Sequence, residues 1–183
     1  MCGICGELRF DGAPADLGAV DRMMDQIQRR GPDHGGSWSD GSLGLGHRRL
    51  SIIDLSIRAN QPMVDPELGL ALVFNGAIYN YRELRQDLVA KGYRFFSEGD
   101  TEVILKAWHA WGEGCCERLH GMFAFGLWDM NRRVLFLARD RFGVKPLYWT
   151  RDHRRLRFAS STQALLAAEG VDTAIDPVAL HHL

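Results

Sequence analysis

The sequence has no excess of either charge and no long hydrophobic segment. Its 22 lysines and arginines balance 23 aspartates and glutamates, which leaves a net charge of −1. That balance gives no reason to expect binding to nucleic acid or to a membrane surface. No apolar run approaches the roughly 20 residues of a bilayer-spanning helix, and the N-terminus lacks the regions of a secretory signal. We therefore expect a cytoplasmic protein that binds neither nucleic acid nor membrane.

Cysteine is scarce as well, with four residues in 183. A chain of this length buries enough surface to fold without disulfides. Cys2 and Cys5 form a C-x-x-C, whereas Cys115 and Cys116 are adjacent and lack the spacing of a second zinc-binding pair. Metal binding or redox chemistry at Cys2 and Cys5 stays open as an alternative. Because the motif begins a strand and does not open a helix, Cys5 is better interpreted as a small buried residue.

Cys2 directly follows the start methionine, and this position has a chemistry of its own. Removal of Met1 would leave a thiol and a free α-amino group on one residue. Free α-amino groups have an ordinary pKa of about 7.7–8 and thiols one of about 8.5, so the amine can accept the thiol proton near neutral pH. The thiolate would be the nucleophile. The small side chains of Cys2 and Gly3 favour removal of Met1 by an aminopeptidase.

The hydrophobic patterns predict an α+β domain with mostly antiparallel sheets. Short apolar runs predict strands at 3–10, 43–54, 70–80, 123–129, 134–139, 147–150 and 156–160. Helical spacing predicts helices at 16–27, 81–91, 100–111 and 162–168, and Asp176-Pro177 is the start signal of another. Strands and helices do not alternate along the chain, which favours antiparallel sheets packed against helices. A helix cut off so soon after Asp176 indicates a fragment of a longer protein.

Several blocks of sequence occur in an order that resembles one known family. They read "MCGICG", "RRGPD", "GHRRLSIIDLS", "QPM", "FNGAIYNYRELR", "GDTEVIL", "LHGMFAFGLWD" and "RDRFGVKPLYW". Together they resemble the glutaminase domain of asparagine-synthetase-type class II glutamine amidotransferases, over about the whole chain. The phosphoribosyl and glucosamine-phosphate branches are less similar around "HRRLSIIDL". The resemblance implies an N-terminal-nucleophile hydrolase with a four-layer αββα sandwich.

The resemblance also implies a catalytic role for three residues. Cys2 would attack the side-chain amide carbon of glutamine, which gives a thioester and ammonia, and water would then release glutamate. The side-chain amide of Asn75 and the backbone N–H of Gly76 would stabilise the oxyanion, where one donor is worth about 10²–10³ in rate. Taken alone, Asn75-Gly76 is a hairpin-turn signal.

Substrate binding is implied for a second group. Arg49 resembles the arginine that binds the α-carboxylate of glutamine, and the backbone from Leu50 to Ile53 would line the same pocket. Asp100 would pair with the α-ammonium group. Taken alone, Arg49 is a surface arginine and Asp100 a helix cap. Residue 77 is alanine where the family usually has a glutamate that helps to receive the substrate amine, so Asp100 would be the main anionic partner.

Further expectations concern the rest of the protein. Residues 1–183 would form one glutaminase domain, followed by an ATP-dependent synthetase domain that uses Mg²⁺. No phosphate-binding loop is visible, so the domain itself is expected to need neither nucleotide nor metal. L-Glutamine and the synthetase domain of the same chain are the expected partners, and a homodimer is compatible with the resemblance. Arg30, Asp33 and His47 match family positions that hold the loops around the site.

Two readings of the function stay open beside this one. "NGAIYN", "LALVF" and "DPVALHH" resemble a sub-branch that amidates N-acetylglutaminylglutamine. The alternative of a different class is a catalytically silent domain for assembly or regulation, which Ala77 favours.

Overall fold

The computed structural model of the protein describes residues 1–174, so the helix start expected at Asp176-Pro177 lies outside the described residues. The strands in this range are β1 (Gly3–Arg9), β2 (His34–Asp40), β3 (Leu43–Arg49), β4 (Met63–Asp65), β5 (Leu70–Ile78), β6 (Gly121–Asp129), β7 (Val134–Arg139), β8 (Tyr148–Arg151) and β9 (Arg155–Ala159). The α-helices are α1 (Leu17–Gln26), α2 (Tyr81–Ala90), α3 (Asp100–Trp111), α4 (Cys115–Arg118) and α5 (Thr162–Ala167). Short 3₁₀ turns lie at Gln28–Arg30, Ile57–Ala59 and Gly112–Gly114.

The strands form two sheets whose neighbours all pair antiparallel. The first sheet has the order β2-β3-β1-β9-β8, and the second has the order β4-β5-β6-β7. Helices α1 and α5 cover the outer face of the first sheet, and α2 and α3 cover the outer face of the second. The layers therefore follow the order helix, sheet, sheet, helix that the resemblance implied.

Strand alternation divides the buried side chains among three cores. In β5, Ala71 and Val73 face the first sheet, whereas Leu72 and Phe74 face α2 and α3. Both faces of the sheets are thus covered, which explains why "LALVF" is apolar throughout and does not alternate with polar residues. Successive side chains on a strand point to opposite faces, so every second residue of a strand lies between the sheets.

The strands differ from the predictions in three places, and the first is the short strand β4 (Met63–Asp65), which was not predicted. The predicted strand at 43–54 ends at Arg49, and the segment after it forms a loop. Strand β2 was not predicted because its sequence, "HGGSWSD", is polar and contains two glycines. It lies at an edge of the first sheet and is largely exposed, so its pairing with β3 does not require an apolar face.

No helix within residues 1–174 is long and apolar enough to cross a membrane.

Candidate active site

A cavity of about 280 Å³ lies where β1 begins and β3 ends, beside the second half of β5. Its size is near the lower limit for small-molecule sites. All seven residues that the resemblance assigned to the site contribute to its wall: Cys2, Arg49, Leu50, Ile53, Asn75, Gly76 and Asp100.

The alternation of the strands explains why residues so far apart in sequence meet here. Residues that are an even number of positions apart along a strand point to the same face. Cys2 therefore faces the same way as Ile4, and Arg49 the same way as Leu45. The side chains of Ile4 and Leu45 lie between the sheets. Asn75 faces the same way as Val73, whose side chain also lies between the sheets. Three strands from two sheets therefore direct one functional side chain each into the same space.

The thiol of Cys2 lies against the loop that follows β3. Its Sγ accepts the N–H of Leu50 at 3.4 Å and donates to the carbonyl of Leu50 at 3.6 Å. The carbonyl of Cys2 accepts the Nε–H of Arg30 at 3.1 Å. These contacts hold the sulfur at the cavity wall.

Cys5 lies on the opposite face of β1 from Cys2, because three positions separate them. It is fully buried beside α1, and its Sγ lies 3.8 Å from the carbonyl of Val20 and 3.7 Å from that of Gly46. Burial raises the pKa of this thiol well above its usual range. The two cysteines thus cannot act as one metal-binding or redox pair, and Cys5 is the small buried residue that the sequence predicted. Within residues 1–174, no group of three or more His, Cys, Asp or Glu side chains has metal-binding geometry.

The backbone of β5 forms an open edge at the cavity. Strand β4 pairs with β5 only from Leu70 to Leu72, so no strand covers the edge beyond that point. The N–H of Phe74 and the N–H of Ile78 both point to this edge, since side-chain oxygens accept them there. In an antiparallel ladder alternate residues direct their N–H groups to the same side. The N–H of Gly76 therefore points to the open edge as well, where Gly76 lines the cavity.

Asn75 and Gly76 lie in the middle of β5 and pair with Ala124 and Phe123 of β6, so they are not a hairpin turn. Asn75 is 1% exposed, and its Nδ2 has no hydrogen-bond partner within the described chain. A Cβ on Gly76 would lie 2.3 Å from the carbonyl oxygen of Met122, so no side chain fits there. The arrangement offers two N–H donors, one from a side chain and one from the backbone, to an oxygen bound in the cavity.

Arg49 is buried and is not the surface arginine that its residue type suggests. Its Nη1 donates to the carbonyl of Ser56 at 2.9 Å and to Oδ1 of Asn60 at 2.6 Å, and its Nη2 donates to the carbonyl of Asp54. The guanidinium thus holds the loop after β3 in place. A guanidinium carries five donors, and these bonds use three of them.

Asp100 is the first residue of α3, and Gly99 is the N-cap residue, so Asp100 is not the cap that its position suggested. Its Oδ2 accepts the N–H of Ile78 at 2.9 Å. The side chain is 5% exposed. Burial raises the pKa of Asp100, and backbone N–H groups partly offset the rise. Ala77 also lines the cavity and adds no charge, so the carboxyl groups of the wall are those of Asp54 and Asp100.

Three further residues hold the walls. Asp33 accepts the N–H of Ser51 at 2.8 Å, and Arg30 binds the Cys2 carbonyl as described. His47 is buried between the sheets, and its Nε2 lies 3.2 Å from the carbonyl of Phe74. Burial lowers the pKa of His47 to about 3, so the ring is neutral and Nε2 is the donor in this bond. Asp33 thus holds the loop after β3, whereas Arg30 and His47 hold the backbone of Cys2 and of β5.

The sequence assigned no role to several residues of the cavity wall, among them Gln61, Thr101, Met122 and Lys145. Gln61 and Lys145 occur in the blocks "QPM" and "RDRFGVKPLYW", so the blocks pointed to them without indicating what they contact. Lys145 is buried, and its Nζ lies 3.3 Å from Sδ of Met1. Its ammonium group therefore reaches the residue that precedes Cys2.

Comparisons with known proteins identify the family of the chain. The sequence profile of the family described as glutamine amidotransferase domain matches residues 1–183. Asparagine synthetase (glutamine-hydrolyzing) 3 of Bacillus subtilis strain 168 is 37% identical over 186 residues, which cover 100% of this chain and 30% of the relative. Asparagine synthetase (glutamine-hydrolyzing) 1 of the same strain is 43% identical over 185 residues, which cover 98% of this chain and 29% of the relative. The chain thus spans about 30% of the length of these curated relatives.

A solved structure shares the fold. It is described as glutamine phosphoribosylpyrophosphate amidotransferase from B. subtilis complexed with ADP and GMP. The match has a TM-score of 0.76 at 20% identity and covers 93% of this chain and 44% of that one. With the layers described above, it confirms the αββα N-terminal-nucleophile hydrolase fold.

Proposed function

Because the chain belongs to the family of glutamine amidotransferase domains, we propose that it hydrolyses L-glutamine to glutamate and ammonia through an N-terminal cysteine. The observation that carries this proposal is the buried, unpartnered Nδ2 of Asn75 at the cavity that Cys2 also lines. A buried donor without a partner is costly to a folded protein. Its position beside a nucleophile is explained if an oxygen of the substrate accepts from it.

The first step requires that Met1 is absent, so that Cys2 carries a free α-amino group. The amine accepts the thiol proton, and the sulfur attacks the side-chain amide carbon of glutamine. The carbonyl oxygen becomes an oxyanion, which the Nδ2–H of Asn75 and the N–H of Gly76 stabilise. When this intermediate collapses, the C–N bond breaks and the departing nitrogen takes the proton from the α-ammonium group of Cys2, so ammonia leaves and a thioester remains. Water then gives a proton to the α-amine as it attacks the thioester, which forms a second oxyanion. The C–S bond breaks, glutamate is released, and the sulfur regains its proton from the α-ammonium group.

Charge complementarity orients the substrate. The guanidinium of Arg49 would bind the α-carboxylate with its two remaining donors, and Asp100 would pair with the α-ammonium group. Both groups lie at the cavity whose wall contains the oxyanion donors. The side-chain amide of a bound glutamine is thereby directed towards Cys2.

An electrophilic glutamine analogue tests the proposal, with intact mass as the readout. We expect the full-length protein to have lost Met1 and to gain one adduct that maps to Cys2, and excess glutamine should protect it. A protein that has lost Met1 but gains no adduct would instead support the silent assembly or regulatory domain, the alternative that Ala77 favours.

Replacement of Asp100 by asparagine should weaken glutamine binding. The variant keeps an oxygen that accepts the N–H of Ile78 but loses the negative charge. A hydrogen bond to a charged group is worth about 1.5–3 kcal/mol. Its loss corresponds to a KM for glutamine that is about 10–100-fold higher. Glu98→Gln is a matched control, because the Glu98 side chain is exposed and the substitution removes the same charge two positions away. Steady-state kinetics should show an unchanged KM for the control.

The raised pKa of Asp100 also predicts how glutamine binding depends on pH. A carboxylate with a raised pKa gains its proton at a higher pH than an ordinary aspartate as the pH falls. The KM of the wild-type protein should therefore rise on the acid side, beginning above the range where ordinary aspartates titrate. In Asp100→Asn the KM should be high and independent of pH over this range. An equally steep rise in the variant would contradict the assignment.

We further propose that the ammonia passes to an ATP- and Mg²⁺-dependent synthetase domain of the same protein, which amidates a carboxylate. The greater length of the two Bacillus relatives and their printed names support this. Amidation of N-acetylglutaminylglutamine and a cytoplasmic location stay predictions from the sequence. Acceptor specificity is tested by assaying the full-length protein with aspartate and with this dipeptide.

A further inference from the structure

The "QPM" block, which received no role from the sequence, places a buried glutamine at the cavity. Gln61 is 6% exposed and forms part of the wall. Its Oε1 accepts the N–H of Phe74 at 2.6 Å, and its Nε2 donates to Oγ1 of Thr101 at 3.4 Å. Phe74 directly precedes Asn75, and Thr101 directly follows Asp100. One side chain therefore connects the neighbours of two proposed functional residues.

The contact with Phe74 lies where the second sheet has no further strand. Beyond Leu72 the outer edge of β5 is not covered by β4, so the buried N–H of Phe74 needs another acceptor. The Gln61 amide supplies it, and Nε2 of His47 donates to the Phe74 carbonyl at 3.2 Å. Both backbone groups of Phe74 are thus held by side chains, two residues before the N–H of Gly76.

We propose that Gln61 is a positioning residue for glutamine hydrolysis, an inference that rests on the proposed function. Its carbonyl oxygen fixes the edge of β5 so that Asn75 and Gly76 direct their N–H groups at the same oxygen. Donors stabilise an oxyanion only within a narrow range of distances, near 2.7–3.1 Å. Functional groups must be held to within about 0.5 Å by the residues that support them. Loss of the Gln61 contact leaves the donors in place but lets the edge move.

The contact with Thr101 extends the same support to the substrate. It ties the edge of β5 to the first turn of α3, where Asp100 binds the α-ammonium group. The two ends of glutamine are then bound by groups whose separation Gln61 helps to fix. Because the bond to Thr101 is longer than the bond to Phe74, we expect the oxyanion donors to depend on Gln61 more than the ammonium site does.

Gln61→Met in the full-length protein tests whether Gln61 supports the oxyanion donors more than it supports the ammonium site. Methionine has a similar length but no carbonyl, so kcat should fall about 10–100-fold, since a misplacement of about 1 Å can cost on the order of 10²-fold in rate. KM for glutamine should stay within about threefold, because Arg49 and Asp100 are retained. Gln86→Met is the matched control, since Gln86 is exposed on α2. Its kcat and KM should equal those of the wild-type protein.

Gln61→Glu separates positioning from general damage by its pH profile. Burial favours the protonated carboxyl, which offers a C=O to Phe74 and an O–H to Thr101 as the amide does. The ratio of variant to wild-type kcat should therefore rise as the pH falls. The ratio for Gln61→Met should stay constant, since methionine does not titrate.

The outcomes distinguish the inference from the function on which it rests. A wild-type protein without glutaminase activity would contradict the proposed function. With an active wild-type protein, an unchanged kcat in Gln61→Met would overturn the inference alone. A kcat ratio in Gln61→Glu that stays below one and does not change with pH would do the same, and that test holds even where Gln61→Met does not fold.

Discussion

Cys2→Ala should abolish glutamine hydrolysis, with kcat falling at least about 10⁴-fold, as expected when a covalent nucleophile is removed. Alanine keeps the small side chain that permits removal of Met1, so the variant retains the α-amino group and loses only the sulfur. Arg49 and Asp100 are unchanged, so glutamine should still bind. Glutamate release measures the first effect, and calorimetric titration with glutamine measures the second.

Cys5→Ala is the control, because Cys5 lies on the other face of β1 and away from the cavity. Its kcat should stay within about threefold of the wild-type value, since no atom of Cys5 reaches the reacting groups. Equal losses in Cys2→Ala and Cys5→Ala would contradict the assignment and return the metal or redox pair to consideration. Retained hydrolysis in Cys2→Ala would show that another residue is the nucleophile.

The convergence of the site could be predicted from the sequence only in part. Cys2, Arg49 and Asn75 were identified from their blocks, and the faces to which they point explain how they meet. The alternation of side chains along a strand indicates which face each side chain occupies. It does not indicate which strands lie opposite each other across the two sheets. That arrangement depends on long-range packing, such as Ile4 and Val73 in the shared core.

The loop after β3 shows why the hydrophobic pattern predicted a strand where the structure has none. "LSIIDL" is as apolar as a strand, and the sequence predicted one up to Asp54. In the structure Arg49 binds the carbonyls of Asp54 and Ser56 and so bends the chain back upon itself. A bond between residues five or seven positions apart leaves no trace in hydrophobic periodicity. For the same reason nothing in "QPM" indicated that Gln61 supports Phe74.

Asn75→Ala should lower kcat about 10²–10³-fold, the value of one oxyanion donor. Its effect on folding should be small, because Nδ2 of Asn75 makes no hydrogen bond within the described residues that the substitution could break. Loss of activity without loss of stability is expected where a group serves the transition state and not the fold. Glutamate release and thermal unfolding of the same preparation measure the two effects.

Asn80→Ala is the matched control for this separation. Its Nδ2 donates to the carbonyl of Arg118 at 2.9 Å, and its Oδ1 accepts the N–H of His120 at 3.0 Å. That variant should lose about 1 kcal/mol of stability for each net hydrogen bond and keep its kcat. If Asn75→Ala instead lost stability and kept its activity, the unpartnered amide would not be an oxyanion donor. The opposite responses of two asparagines five positions apart thus distinguish a donor kept free for the substrate from one that binds the protein itself.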